Sequence, residues 1–135
     1  MGDTIWVRRK SRAGREDALD DVDHSLFSRH AEALDALAER LGVRRLTEFF
    51  DYTDVQYTMA EEDLPENWVA ENEQWFAPAE ALPPLAKIIA KLKSGPVRGV
   101  PEDARSELVE ELEHCLGTVA AAGSEGDRFH FCVVM

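Results

Sequence analysis

The chain has 135 residues, 44% of them hydrophobic, which suits one compact domain able to bury its core without metals or disulfides. Its 15 Lys and Arg stand against 27 Asp and Glu, a formal charge of −12. That balance excludes nonspecific nucleic-acid binding, which needs cations to neutralise phosphates, and disfavours anionic membrane surfaces.

The N-terminal MGDTIWVRRK lacks the apolar stretch of a signal peptide, and no apolar run approaches the length of a membrane-spanning helix. Cys115 and Cys132 form no CxxC pair and read as small buried hydrophobes of a reducing compartment. A cytoplasmic protein is therefore expected.

In chain order, Thr4 to Arg8 reads as a first strand, β-branched or aromatic over Thr4, Ile5, Trp6 and Val7 and apolar on both faces. A basic, polar connection follows, and Arg8, Arg9, Lys10, Arg12 and Arg15 come with no acid among them until Glu16. A helix is expected to open at Asp23, with Val22 and Phe27 as its hydrophobic staple. Its core stripe is Phe27, Ala31, Leu34, Ala38 and Leu41, and Gly42 supplies the left-handed stop.

From Leu46 to Ala86 the chain has no Lys, Arg or His but ten acids: Glu48, Asp51, Asp54, Glu61, Glu62, Asp63, Glu66, Glu71, Glu73 and Glu80. Within it LTEFF reads as a short helix capped by Thr47. Val55, Tyr57 and Met59 alternate with Gln56 and Thr58 as in a half-buried strand. Glu61 to Asn72 reads as an irregular loop anchored by Trp68, Trp75 and Phe76.

Pro83 and Pro84 suit a helix's first turn, so a helix is expected from there to Lys93, with Pro78 to Ala81 as a separate turn before it. Leu85, Ile88, Ile89 and Leu92 form its core stripe, and Gly95 and Pro96 end it. The last helix is expected between Pro101 and Ala122, with Leu108, Leu112, Cys115, Leu116 and Val119 buried and Gly123 as its stop. Gly117 inside it costs roughly 1 kcal/mol relative to Ala unless close packing requires it. RFHFCVVM closes the chain as a strand, with Phe129, Phe131 and Val133 on one side and His130, Cys132 and Val134 on the other.

The expected fold is α+β: a single domain over 1–135, with a small two- or three-stranded sheet formed by the N- and C-terminal strands and packed by about three main helices. An irregular acidic and aromatic segment occupies about 46–80. A two-stranded sheet alone is marginal in water, and a third strand at Val55 to Met59 would relieve that.

Catalytic and metal signatures are weak. Asp51 and Glu62 take the first and twelfth positions of an EF-hand-like loop, but Thr53, Val55 and Gln56 fail its interior. His114, Cys115, His130 and Cys132 lack zinc-ligand spacing, and the simpler reading puts both cysteines in the core and pairs His114 with Glu110. No GxSxG elbow or phosphate-binding glycine loop is present. No metal or cofactor is assigned.

The rings remain: Phe49, Phe50, Tyr52, Tyr57, Trp68, Trp75 and Phe76 crowd one part of the chain. One account makes them a local core, with Phe49, Phe50 and Trp75 buried and carboxylates around them. The other makes part of the set a recognition surface, because rigid rings supply contact area and carboxylates select a cationic partner.

The leading expectation is a non-enzymatic inhibitor, immunity-type or adaptor protein that docks a basic protein or peptide. Its surface would comprise Asp51, Tyr52, Asp54, Tyr57, Glu61, Glu62, Asp63 and Trp68, with Tyr52, Tyr57 and Trp68 as anchors. The alternative is an enzyme or small-molecule binder whose pocket lies between the sheet and the acidic loop, lined by His30 or His130. A homodimer paired along a sheet edge is a third reading.

Overall fold

The structure, a computed structural model, describes residues 4–10, 18–20, 24–60 and 62–134. Four strands, β1 (Thr4–Lys10), β2 (Ala18–Asp20), β3 (Phe50–Asp51) and β4 (Arg128–Val134), form one sheet in the order β2-β1-β4-β3. The helices are α1 (Ser25–Arg29), α2 (Ala31–Leu41), α3 (Thr53–Thr58), α4 (Trp68–Asn72), α5 (Pro78–Ser94) and α6 (Glu102–Glu125), with a 3₁₀ turn at Leu46–Phe49. The fold is α+β, as the sequence implies. Three helices are long: α2, α5 and α6, of 11, 17 and 24 residues.

The two chain ends meet in the middle of the sheet. β1 and β4 run antiparallel from Thr4 opposite Val134 to Lys10 opposite Arg128. β2 covers the far edge of β1 over Val7, Arg8 and Arg9, and β3 lies parallel to β4 at Phe131 and Cys132. Phe76 adds an antiparallel bridge to Phe129. Short margins on both sides let a narrow sheet bury its central strands.

Because side chains alternate across a strand, Ile5, Val7, Phe129, Phe131 and Val133 share the face toward the helices. All five are buried. The chain's six phenylalanines join in one aromatic cluster there: Phe131 meets Phe27 and Phe129, and Phe49 meets Phe76 and Phe129. Phe50 reaches both Phe27 and Phe131 edge-on. Such edge-to-face contacts add about 0.5–1.5 kcal/mol each beyond area burial.

Several helix boundaries differ from the sequence reading. Asp23, the expected cap, lies outside the described residues; His24 stands at the N-cap of α1 without a side-chain cap bond. A carboxylate from another helix serves instead, since Glu111 of α6 accepts from the Leu26 and Phe27 backbone N–H groups at 3.3 and 3.0 Å. A single off-helix residue, His30, separates α1 from α2, and Gly42 ends α2 in the left-handed region at φ 70°.

α5 begins at Pro78, not Pro83, and runs through both later prolines. The rule that proline suits the first turn holds, but Pro78 is the residue that uses it. Pro78, Ala81, Leu85, Ile88 and Leu92 are buried at steps of three and four, so packing keeps the first turns attached although Pro83 and Pro84 offer no N–H to the ladder. α6 likewise passes Gly123 and stops at Gly126, φ 77°. Gly123 serves packing instead: a Cβ there would stand 3.3 Å from the Pro78 Cβ.

Gly117 has open space around it, so no close contact requires a glycine. Replacing it with Ala is expected to raise stability by about 0.5–1 kcal/mol through helix propensity alone. A urea titration checks this, and an unchanged or lower midpoint would contradict it.

Candidate functional site

The acidic segment leaves the sheet and returns to it, and its two ends are clamped. After β3, Asp51 turns the chain: one carboxylate oxygen accepts the Thr53 N–H at 2.9 Å and the other the Gln74 N–H at 2.8 Å. Asp51 therefore starts α3, holding an otherwise unbonded first-turn amide, and ties the outgoing chain to the returning one. On the return, Gln74 O accepts from His130 Nδ1 at 2.7 Å. Phe76 exchanges two backbone hydrogen bonds with Phe129, of 2.8 and 3.0 Å.

The returning strip packs on the sheet face opposite the phenylalanine cluster. Trp75 stacks on His130 with centroids 4.1 Å apart. Arg8 and Lys10 hold their charges 5.7 and 5.6 Å from the Trp75 ring centre, and Arg8 also pairs with Glu73 at 2.7 Å. Here the early cations of the chain do neutralise part of the acidic segment. Burial on both faces of β4 follows, with His130 and Cys132 inaccessible.

Between the clamps the chain turns outward. The expected strand at Val55 to Met59 is a correction: these residues belong to α3 and its C-terminal cap, with Gln56 N–H bonded to Tyr52 O at 2.9 Å and Met59 N–H to Val55 O at 3.0 Å. Alternation of apolar residues over so short a span fits one helical turn as well as a strand, and the Asp51 cap decides for the helix. Thr53 is buried and Val55 packs against the core, whereas Tyr52, Tyr57 and Met59 point out, 48%, 38% and 66% exposed. These are the large exposed hydrophobic side chains among the described residues.

The ten acids divide. Glu48 lies 3.4 Å from Arg44, Glu80 3.5 Å from the same guanidinium, and Glu73 is held by Arg8. Asp51 is 4% exposed. Glu62, Asp63, Glu66 and Glu71 are exposed, and no described cation stands within ion-pair distance of them. Glu71 accepts only from Asn67 Nδ2, at 2.7 Å.

Of the residues expected at the surface, Tyr52, Tyr57, Glu62 and Asp63 are exposed, and Trp68 is half-buried with its ring 6.3 Å from that of Tyr57. Asp51 must be moved from the expected contact surface to the frame beneath it, because both its oxygens serve backbone amides inside the fold. Glu61 and the side chain of Asp54 lie outside what is described. The sequence reading missed Met59 as an exposed residue by placing it on a strand's inner face. Its spacing from Tyr52 and Gln56, four and then three residues, is the helical signal that would have found it.

The histidines and cysteines scatter. Cys115 and Cys132 are free and buried. His114, expected beside Glu110, instead meets His24: His24 Nδ1 donates to Ile5 O at 2.7 Å, and its Nε2 lies 2.9 Å from His114 Nδ1. Since a carbonyl only accepts, a neutral His24 carries its hydrogen on Nδ1 and receives one from His114 at Nε2. Among the described residues no three His, Cys, Asp or Glu groups gather within reach of one metal ion. A cavity of about 390 Å³ lies along α5 and α6 and another of about 280 Å³ at the start of α5, both lined by described residues away from the acidic segment.

No described helix is long and apolar enough to cross a membrane. Comparison with protein-family models, with curated proteins and with solved structures returns no match.

Proposed function

We propose that this protein is a non-enzymatic binding protein, of inhibitor, immunity or adaptor type, that docks a basic protein or peptide on the outward side of α3, α4 and the loop between them. One observation carries the reading. The large exposed hydrophobic side chains among the described residues all fall at Tyr52, Tyr57 and Met59, in the same segment as four exposed carboxylates that the chain's own described cations leave unpaired. Rings and thioether supply contact area at low ordering cost, and the carboxylates steer a cationic partner to it. The buried free thiols suit a reducing, cytoplasmic setting.

The test is retention of a purified basic protein on the immobilised domain. Binding is expected at about 50 mM salt and should weaken strongly by about 0.5 M, where charges screen within a few ångströms. Neutralising Glu62, Asp63, Glu66 and Glu71 together to the corresponding amides should abolish it. The same fourfold change at exposed acids of α2 and α6, Glu32, Glu39, Glu107 and Glu110, should leave it intact. Equal loss in both variants would reduce the effect to net charge and defeat the assignment of this surface.

A further inference from the structure

Among the described residues three cations stand over aromatic rings. Arg44 places its guanidinium 4.5 Å from the centre of the Phe49 ring and pairs with Glu48 and Glu80. Arg8 stands over Trp75 and pairs with Glu73; Lys10 shares that ring. In both arginine cases a guanidinium stands over a ring and is paired with at least one carboxylate at the same time, a combination that the planar, multi-donor guanidinium suits.

Tyr57 and Trp68 form a ring pair in an acidic part of the chain, with no described cation over it. Their ring centroids lie 6.3 Å apart with planes tilted by 35°. Glu71 follows Trp68 by one turn of α4, and Glu62, Asp63 and Glu66 lie on the loop between the two rings. No described cation stands over either ring. The chain from Leu46 to Ala86 contains no cation to supply one.

We propose that Tyr57 and Trp68 form a stacking site for an arginine side chain of the partner. The inference rests on the docking reading above and adds to it the residue selected. Arginine is preferred to lysine because its planar, weakly hydrated guanidinium stacks on a ring and still presents N–H groups to carboxylates, whereas an ammonium keeps its water. Tyr52 and Met59 then serve the apolar residues beside that arginine.

Two labelled peptides of equal charge and spacing, one built on Gly-Arg and one on Gly-Lys repeats, test the idea by fluorescence anisotropy at low salt. The wild-type protein should bind the arginine peptide about two- to fivefold more tightly, the range of an exposed cation–π contact. Tyr57→Leu and Trp68→Leu, which keep apolar bulk but remove the ring face, should bring the two peptides to equal affinity. Binding that depends on charge alone should persist in both variants. Circular dichroism confirms that they remain folded, and Tyr57→Leu, at the more exposed ring, decides the matter where Trp68→Leu does not fold.

Equal binding of the two peptides by the wild-type protein overturns the arginine site and leaves basic docking standing. So does an arginine preference that survives loss of either ring. Binding of neither peptide at low salt overturns the docking reading itself and the arginine site with it.

Discussion

Replacing Phe131 with Ala is expected to lower the unfolding free energy by about 3–5 kcal/mol, the cost of emptying a fully enclosed phenylalanine site. Phe131 sits on the central strand β4 and is inaccessible to water. Its ring lies 5.2 Å from Phe27, 5.3 Å from Phe129 and 6.1 Å from Phe50, so three elements would lose a shared contact at once. The cavity cannot close easily, because β1 and β3 fix β4 on both sides.

A domain of this size has about 5–15 kcal/mol in all, so the variant should lie near the edge of folding at 25 °C. Phe131→Leu keeps most of the volume and should cost clearly less. Urea unfolding followed by circular dichroism measures both. A loss below about 1 kcal/mol for the alanine variant would mean that the phenylalanine cluster is not the centre of the core.

Asp51→Ala should cost about 2–4 kcal/mol, although the residue stands in the middle of an acidic, outward-going segment. Removing the carboxylate strands the buried Thr53 amide, and an inaccessible donor left without an acceptor costs about 1–3 kcal/mol; it also frees the Gln74 amide, whose part-buried position on an exposed residue makes its loss the smaller of the two. Asp51→Asn should cost less, since its one amide oxygen can still satisfy one of the two donors. Hydrogen exchange at Thr53 and Gln74 reports the clamp directly, and both amides should exchange faster in the alanine variant. If Asp51 were a surface contact residue, its loss would instead leave stability within about 0.5 kcal/mol and weaken only binding.

The effect on the candidate site should follow from the same geometry. Without the clamp, residues 52–72 are no longer anchored at both ends, and Tyr52, Tyr57 and Trp68 lose their fixed spacing. Partner affinity should fall together with stability. That behaviour distinguishes Asp51 from Glu62 and Asp63, whose neutralisation should weaken binding while leaving the unfolding midpoint unchanged.

The parts of the fold legible in the sequence are those governed by local periodicity over a long span. The β4 alternation of Phe129, Phe131 and Val133 against His130 and Cys132 appears in the register with β1. Of the expected stripe, Phe27, Leu34 and Ala38 are fully buried, and the Gly42 stop is in place. Where the span is short, the same signals mislead: Val55, Tyr57 and Met59 satisfy a two-residue period and a helical turn equally well, and only Asp51 beneath them selects the turn.

Proline and glycine misled in another way. Their local preferences admit several positions, and Pro78 and Gly126 took the places expected of Pro83 and Gly123. The helix α5 survives its inner prolines because one side of it is enclosed, a fact absent from its own residues.

What the sequence determined by itself was the class of the molecule: an anionic α+β domain, terminal strands with two distinct faces, three main helices, and one stretch lacking cations. Charge, side-chain period and turn chemistry are carried by neighbouring residues and need no knowledge of the fold. Which acids and rings of that stretch turn inward was settled only in three dimensions. Arg8, Lys10 and His130 lie more than fifty residues from Trp75, and their meeting draws Glu73 and Trp75 onto the sheet while Asp51 fastens the chain below. Tyr52, Tyr57 and Met59 remain outside because the positions next to β4 are already filled by Phe50, Asp51 and Phe76.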